Sequence, residues 1–138
     1  MGTDWELYRT GHVDTYEIGI IDLLAKHRKQ PKWLVIELKV RKTSDQVLGQ
    51  LLRYMGWVKE RLAAKNESVE GLVIASRPDL QTLYGLTCLP DVRLMEYRRL
   101  DNALDLYETN LSLHRVSEAI SRMDDDQRHA FFDSLHEN

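Results

Sequence analysis

Over the first third of the chain, apolar and polar positions follow the period of a strand. Residues 5–10 alternate as a short aromatic strand that Gly11 ends. Residues 16–25 read as a second, mostly buried strand, in which Asp22 stands between Ile21 and Leu23. The polar segment 26–32, with Pro31 in it, reads as a hairpin connection to a third apolar run, residues 33–40. Side chains alternate between the two faces of a strand, so Glu37 and Lys39 share one face of this run, while Ile36, Leu38 and Val40 share the other.

The period then changes. Val47, Leu51, Met55, Val58 and Leu62 recur at helical spacing, widened by Leu48 and Leu52, and predict a helix from a Thr43 or Ser44 cap to about residue 64. Gln50 and Tyr54, four apart, lie on a neighbouring stripe with Trp57 and Arg61, at the edge of the buried face. Residues 71–76 read as a buried strand, 79–85 as a short helix after Pro78, and 92–97 as a final strand. The order strand, strand, strand, helix, strand, helix, strand makes an α/β sandwich. Its central mixed sheet is antiparallel at the front and parallel where helices cross over. Beyond it, Leu113, Val116, Ile120 and Met123 mark one tail helix. Asp124 and Gln127 form a capping box for another that contains Phe131, Phe132 and Leu135. The expected division is a domain over 1–100 and an acidic helical tail over 101–138, packing on the domain or on a second copy.

Composition adds boundaries. The 138 residues suit one core. No apolar run reaches the roughly 20 residues that span a bilayer, and the start lacks the order of a signal peptide, so a cytoplasmic protein without membrane contact is expected. Cys88, the single cysteine, excludes an internal disulfide and reads as a small buried hydrophobe. The net charge of −3 is unevenly spread. From Lys26 to Lys65 eleven basic residues face three acids, a net +8, whereas from Asp101 onward nine acids face three bases, a net −6. A polyanion is attracted to such a basic segment, unless its charges are merely solvated faces.

Asp22 gives the pattern chemical content. A carboxylate among apolar strand residues either points to solvent at a strand end or is paired, hydrogen-bonded or bound to a metal. A hairpin centred between Lys29 and Gln30 sets Asp22 opposite Glu37, and a slip of one residue would part them. Opposed like charges destabilise a sheet, and a divalent cation between them removes the conflict; such oxygen ligands suit Mg²⁺ or Mn²⁺.

Asp22, then Glu37-Leu38-Lys39, then Gln50 to Tyr54 resemble the PD-(D/E)xK nuclease pattern with its QxxxY extension. Together with residues 19–24 and 49–54 they are similar to the nuclease domains of NucS/EndoMS-like and RecB-like enzymes, over residues 7–97. The resemblance implies a restriction-endonuclease-like fold and a metal-dependent DNA endonuclease acting in repair or in defence against foreign DNA. It implies that Asp22, Glu37 and the Leu38 backbone carbonyl ligate Mg²⁺ (or Mn²⁺), and that Lys39 positions or deprotonates water. Gln50 would orient Lys39 or that water, and Tyr54 would support Gln50. Arg41, Lys42 and Arg53 are the candidate DNA-backbone contacts. Two departures are visible: Ile21 precedes Asp22 where the family name has Pro, and neither Glu6 nor Glu17 matches the N-terminal helical Glu many members carry. The alternative is a non-catalytic nucleic-acid-binding or incomplete nuclease domain needing an N-terminal region or a partner. A homodimer through the C-terminal helices is a further expectation.

Overall fold

The computed structural model describes residues 4–40, 43 and 45–136. Five strands come first: β1 (Trp5–Leu7), β2 (Val13–Asp14), β3 (Ile20–Ile21), β4 (Leu23–His27) and β5 (Lys32–Lys39). Then follow α1 (Asp45–Arg61), β6 (Ser68–Ala75), α2 (Leu80–Leu86), β7 (Val92–Leu100), β8 (Ala103–Thr109), α3 (Leu111–Ser121) and α4 (Asp125–His136). Six strands form one sheet in the order β1-β4-β5-β6-β7-β8, and β2 and β3 make a separate two-stranded ribbon. β5, β6 and β7 run parallel, and the remaining neighbours in the sheet are antiparallel. The mixed sheet is therefore antiparallel at its front and parallel at the two helical crossovers, as the hydrophobic pattern predicts.

The strand period sorts β5 between two cores. Trp33 and Val35 join Val47, Leu51, Tyr54 and Val58 of α1, with Val73 and Leu94 from neighbouring strands. Leu34 and Ile36 face the other way, with Ala25 and Leu72 and the half-buried Trp5 and Met95. Glu37 is next in the alternation on the α1 side, which brings a carboxylate into the interior. α1 lies close on β6 because Gly71 has no side chain: a methyl group there would stand 2.7 Å from the Met55 sulfur and 3.0 Å from a Leu51 methyl.

Several expectations are corrected. Residues 16–25 are not one strand. Thr15 to Gly19 form a turn between β2 and β3, with Tyr16 and Gly19 at positive φ, and Tyr16 is 91% exposed. The buried face of α1 rotates toward Tyr54, leaving Leu52 exposed, because the sheet packs against the Val47, Leu51, Tyr54 and Val58 ridge. Of the two cap candidates for α1, Thr43 pairs instead with Asp79, the N-cap of α2, and Ser44 lies outside the described residues. Cys88 is exposed, since the chain leaves α2 there through turns. The tail is not helical throughout: β7 runs on to Leu100 and turns into β8, which pairs with it from Leu94↔Thr109 to Leu100↔Ala103, so helix begins only at Leu111. The capping box forms reciprocally: the Gln127 N–H donates to Asp124 Oδ1 (2.8 Å), and the Asp124 N–H to Gln127 Oε1 (3.1 Å). Among the described residues no helix is long and apolar enough to cross a membrane.

Candidate active site

Hairpin register decides whether the two acids meet. β4 and β5 pair Leu23↔Ile36 and Leu24↔Val35, and one further step along this ladder brings Asp22 opposite Glu37. Asp22 itself occupies a bend between β3 and β4. Its Oδ2 accepts the Leu38 backbone N–H at 2.9 Å, which fixes the carboxylate at the end of β5.

Glu37 is 2% exposed, and its Oε2 is buried with no hydrogen-bond partner among the described residues. Its Oε1 lies 3.6 Å from the Lys39 ammonium. Burial, and then the neighbouring Asp22 carboxylate, raise the Glu37 pKa to about 7, against the opposing pull of Lys39. An orphaned carboxylate oxygen facing a second acid is costly unless a cation completes it.

Lys39 is half-buried and its ammonium donates to Gln50 Oε1 at 3.4 Å. The Gln50 amide in turn donates to the Tyr54 hydroxyl at 3.3 Å, and Tyr54 is 4% exposed. The four-residue spacing on α1 stacks these two side chains, so the helix delivers an ordered amide to a lysine on the strand below. Leu38 sits between the acid and the base on β5. Arg53 is exposed on α1, while Arg41 and Lys42 lie outside the described residues.

Asp22, Glu37, Lys39, Gln50 and Tyr54 are thus gathered at one end of β5. Sequence reasoning missed His12, whose Nδ1 lies 3.4 Å from the Asp22 carbonyl oxygen and must be the donor in that contact. Its signal was hidden in the ribbon: the pair Val13↔Ile21 sets His12 beside Asp22, but β2 was not foreseen as a strand.

The donor set fits a hard divalent cation. Mg²⁺ is commonly held by one or two carboxylates with water and substrate phosphate completing the shell, and Asp22 and Glu37 supply two. Among the described residues no group of three or more His, Cys, Asp or Glu is placed to hold a metal.

Comparison with known proteins gives a consistent picture. Residues 11–116 match the model of the family described as the endonuclease NucS C-terminal domain, so the match runs past residue 97 through β8 into α3. Endonuclease NucS of Methanocaldococcus jannaschii is 34% identical over 83 residues, 60% of this chain and 29% of that protein. A repair endonuclease from Pyrococcus abyssi, known from a crystal structure, superposes with a TM-score of 0.51 at 23% identity, over 72% of this chain and 39% of that one. A chain from an EndoMS–dsDNA complex gives 0.50 at 20% identity, over 72% and 40%. These two likenesses establish the shared fold. The chain spans roughly a third of the length of these relatives.

Proposed function

The chain belongs to the endonuclease NucS C-terminal domain family, and on that premise we propose that it is the catalytic part of a divalent-cation-dependent DNA endonuclease. The observation that carries this reading is the buried Glu37, with an unpartnered oxygen, between Asp22 and Lys39. Asp22 and Glu37 would hold Mg²⁺ or Mn²⁺, with the Leu38 carbonyl as a further ligand. When bound, such a cation supplies Lewis-acid polarisation of the scissile phosphate and an activated water nucleophile.

The chain's own residues do the rest. Lys39 orients the attacking water; in its neutral form it would take the water's proton, and as the ammonium it offsets charge growing on the phosphoryl oxygens. Gln50 holds the Lys39 ammonium, and Tyr54 holds Gln50. Arg53, together with Arg41 and Lys42, would contact the DNA backbone, which supports affinity without reading sequence. The likeness to repair endonucleases supports a role in DNA repair.

Incubation of the protein with single- and double-stranded DNA under Mg²⁺, Mn²⁺ or EDTA tests the reading. Cutting is expected with either metal, none with EDTA, and a loss of at least about 100-fold in Asp22→Ala and Lys39→Ala. Undiminished cutting by these variants would sink the assignment. A second reading, a domain that cuts only with a further region or partner, is favoured by the described site having two carboxylates and no third. DNA binding without cutting by the wild type would support that one.

A further inference from the structure

We propose that the turn from Thr15 to Gly19 is a positioning element for Lys39, acting on it through Tyr54 and Gln50. The chemical consequence rests on the endonuclease reading; the mechanical claim does not.

The turn is a firm local structure. The buried Thr15 hydroxyl donates to the Gly19 carbonyl (2.6 Å) and accepts the Ile18 N–H (2.9 Å), while the Thr15 N–H donates to the same carbonyl (3.0 Å). Asp14 Oδ1 accepts the Tyr16 N–H at 2.8 Å, closing the turn from its other side. Gly19 ends it at φ +117°, a conformation that side chains rarely adopt.

That glycine touches the relay. A methyl group on Gly19 would stand 2.8 Å from the Tyr54 hydroxyl oxygen, but 3.7 Å from the ring carbon that carries it. The hydroxyl is therefore confined between the Gly19 backbone and the Gln50 amide that donates to it at 3.3 Å. Gln50 has only one orientation in which its amide meets Tyr54 and its carbonyl meets Lys39 (3.4 Å), so a displaced hydroxyl turns the carbonyl away from the ammonium. The turn is also fastened to the far end of α1, where Arg61 bonds Glu17 at 2.5 Å. Gln50, Tyr54 and Arg61 are four and eleven positions along one helix ridge, and the turn rides on that ridge. Sequence patterning read residues 16–25 as plain strand and so hid the contact.

The test compares Gly19→Ala, Tyr54→Phe and the double variant. Each single variant should lower kcat roughly tenfold with KM nearly unchanged, because lysine placement and not DNA affinity is altered. In the double variant the hydroxyl is gone and the added methyl clears the ring, so the second change should alter kcat less than about twofold. Independently of DNA, the side-chain amide resonances of Gln50 should shift in both singles and show no further shift in the double. Thr15→Val, which loosens the turn without adding bulk beside Tyr54, should move the same resonances if Gly19→Ala does not fold. Losses that multiply, or unmoved Gln50 resonances in folded variants, would overturn the proposal and leave Gly19 a residue of local backbone strain alone. A wild type that never cuts DNA on its own would instead remove the reading of the chain as a self-sufficient endonuclease, with the resonance measurements still deciding the mechanical claim.

Discussion

Glu37 shows how one residue combines stability and chemistry. Its pKa in the folded chain, about 7, lies above its ordinary value of 4.5 because burial and Asp22 both penalise the anion. A group raised in this way holds its proton longer in the folded state, so its stabilising contribution is complete below about pH 4.5 and is lost as pH rises through about 7. Without divalent metal, melting temperature should fall across that window, by an equivalent on the order of 3 kcal/mol in stability, and Glu37→Gln should flatten the fall. Thermal melts in EDTA across pH decide it, and parallel curves for the two proteins would contradict the assignment. Adding Mg²⁺, which favours the carboxylate, should restore stability most at neutral pH. The acid, the base and their shared face were legible in the sequence because alternation in a strand depends on nothing else. The orphaned oxygen and the His12 contact were not, because burial and the β2–β3 pairing depend on distant packing.

At the scale of elements, local pattern served best where an element is long and half-buried. β5, α1 and β6 follow their hydrophobic periods, and the turn register that sets Asp22 beside Glu37 follows from a hairpin of countable length. It served least where side chains replace backbone as partners. Thr43 has the chemistry of a helix cap, yet the structure binds it to the start of α2: it donates to Asp79 Oδ1 at 3.0 Å and accepts the Asp79 N–H at 2.9 Å. The same carboxylate takes the Thr82 N–H (3.1 Å) and its hydroxyl, and both threonines are buried. One aspartate thus caps α2 and ties the approach of α1 to it. Asp79→Ala removes the cap and leaves two buried hydroxyls without the carboxylate they donate to, so a loss of about 2–3 kcal/mol is expected. Asp79→Asn, which keeps an acceptor, should cost less. Urea unfolding checks this through a lower midpoint at unchanged slope, and an equal cost for the two variants would mean the cap contributes little.

For the whole molecule, charge summed along the sequence differs from charge presented by the fold. Among the described residues, six of the nine cations between Lys26 and Lys65 are paired: Arg28 with Glu6, Lys29 with Asp4, Arg61 with Glu17, Lys26 with Glu67, Lys32 with Glu70, and Lys39 with Glu37. Five of those acids lie outside the segment that was counted as net +8. Among the described residues, Arg53, Lys59 and Lys65 are the cations of that segment with no acidic partner. With Arg41 and Lys42, which lie outside the described residues, at most five cations of that segment are then free for DNA, far fewer than the linear count suggests. Each phosphate neutralised contributes about 0.9 to the slope of log affinity against log salt on duplex DNA. Measured binding should therefore show a slope of about 3 to 5 in magnitude, well below the ~10 that eleven free cations would give. Arg53→Ala should reduce it by about one, equally for unrelated sequences, since a backbone contact carries no sequence information. A slope near ten, or one indifferent to Arg53, would show that DNA reaches the paired cations as well, the exposed pairs of Arg28, Lys29 and Arg61 being each worth less than about 1 kcal/mol to break.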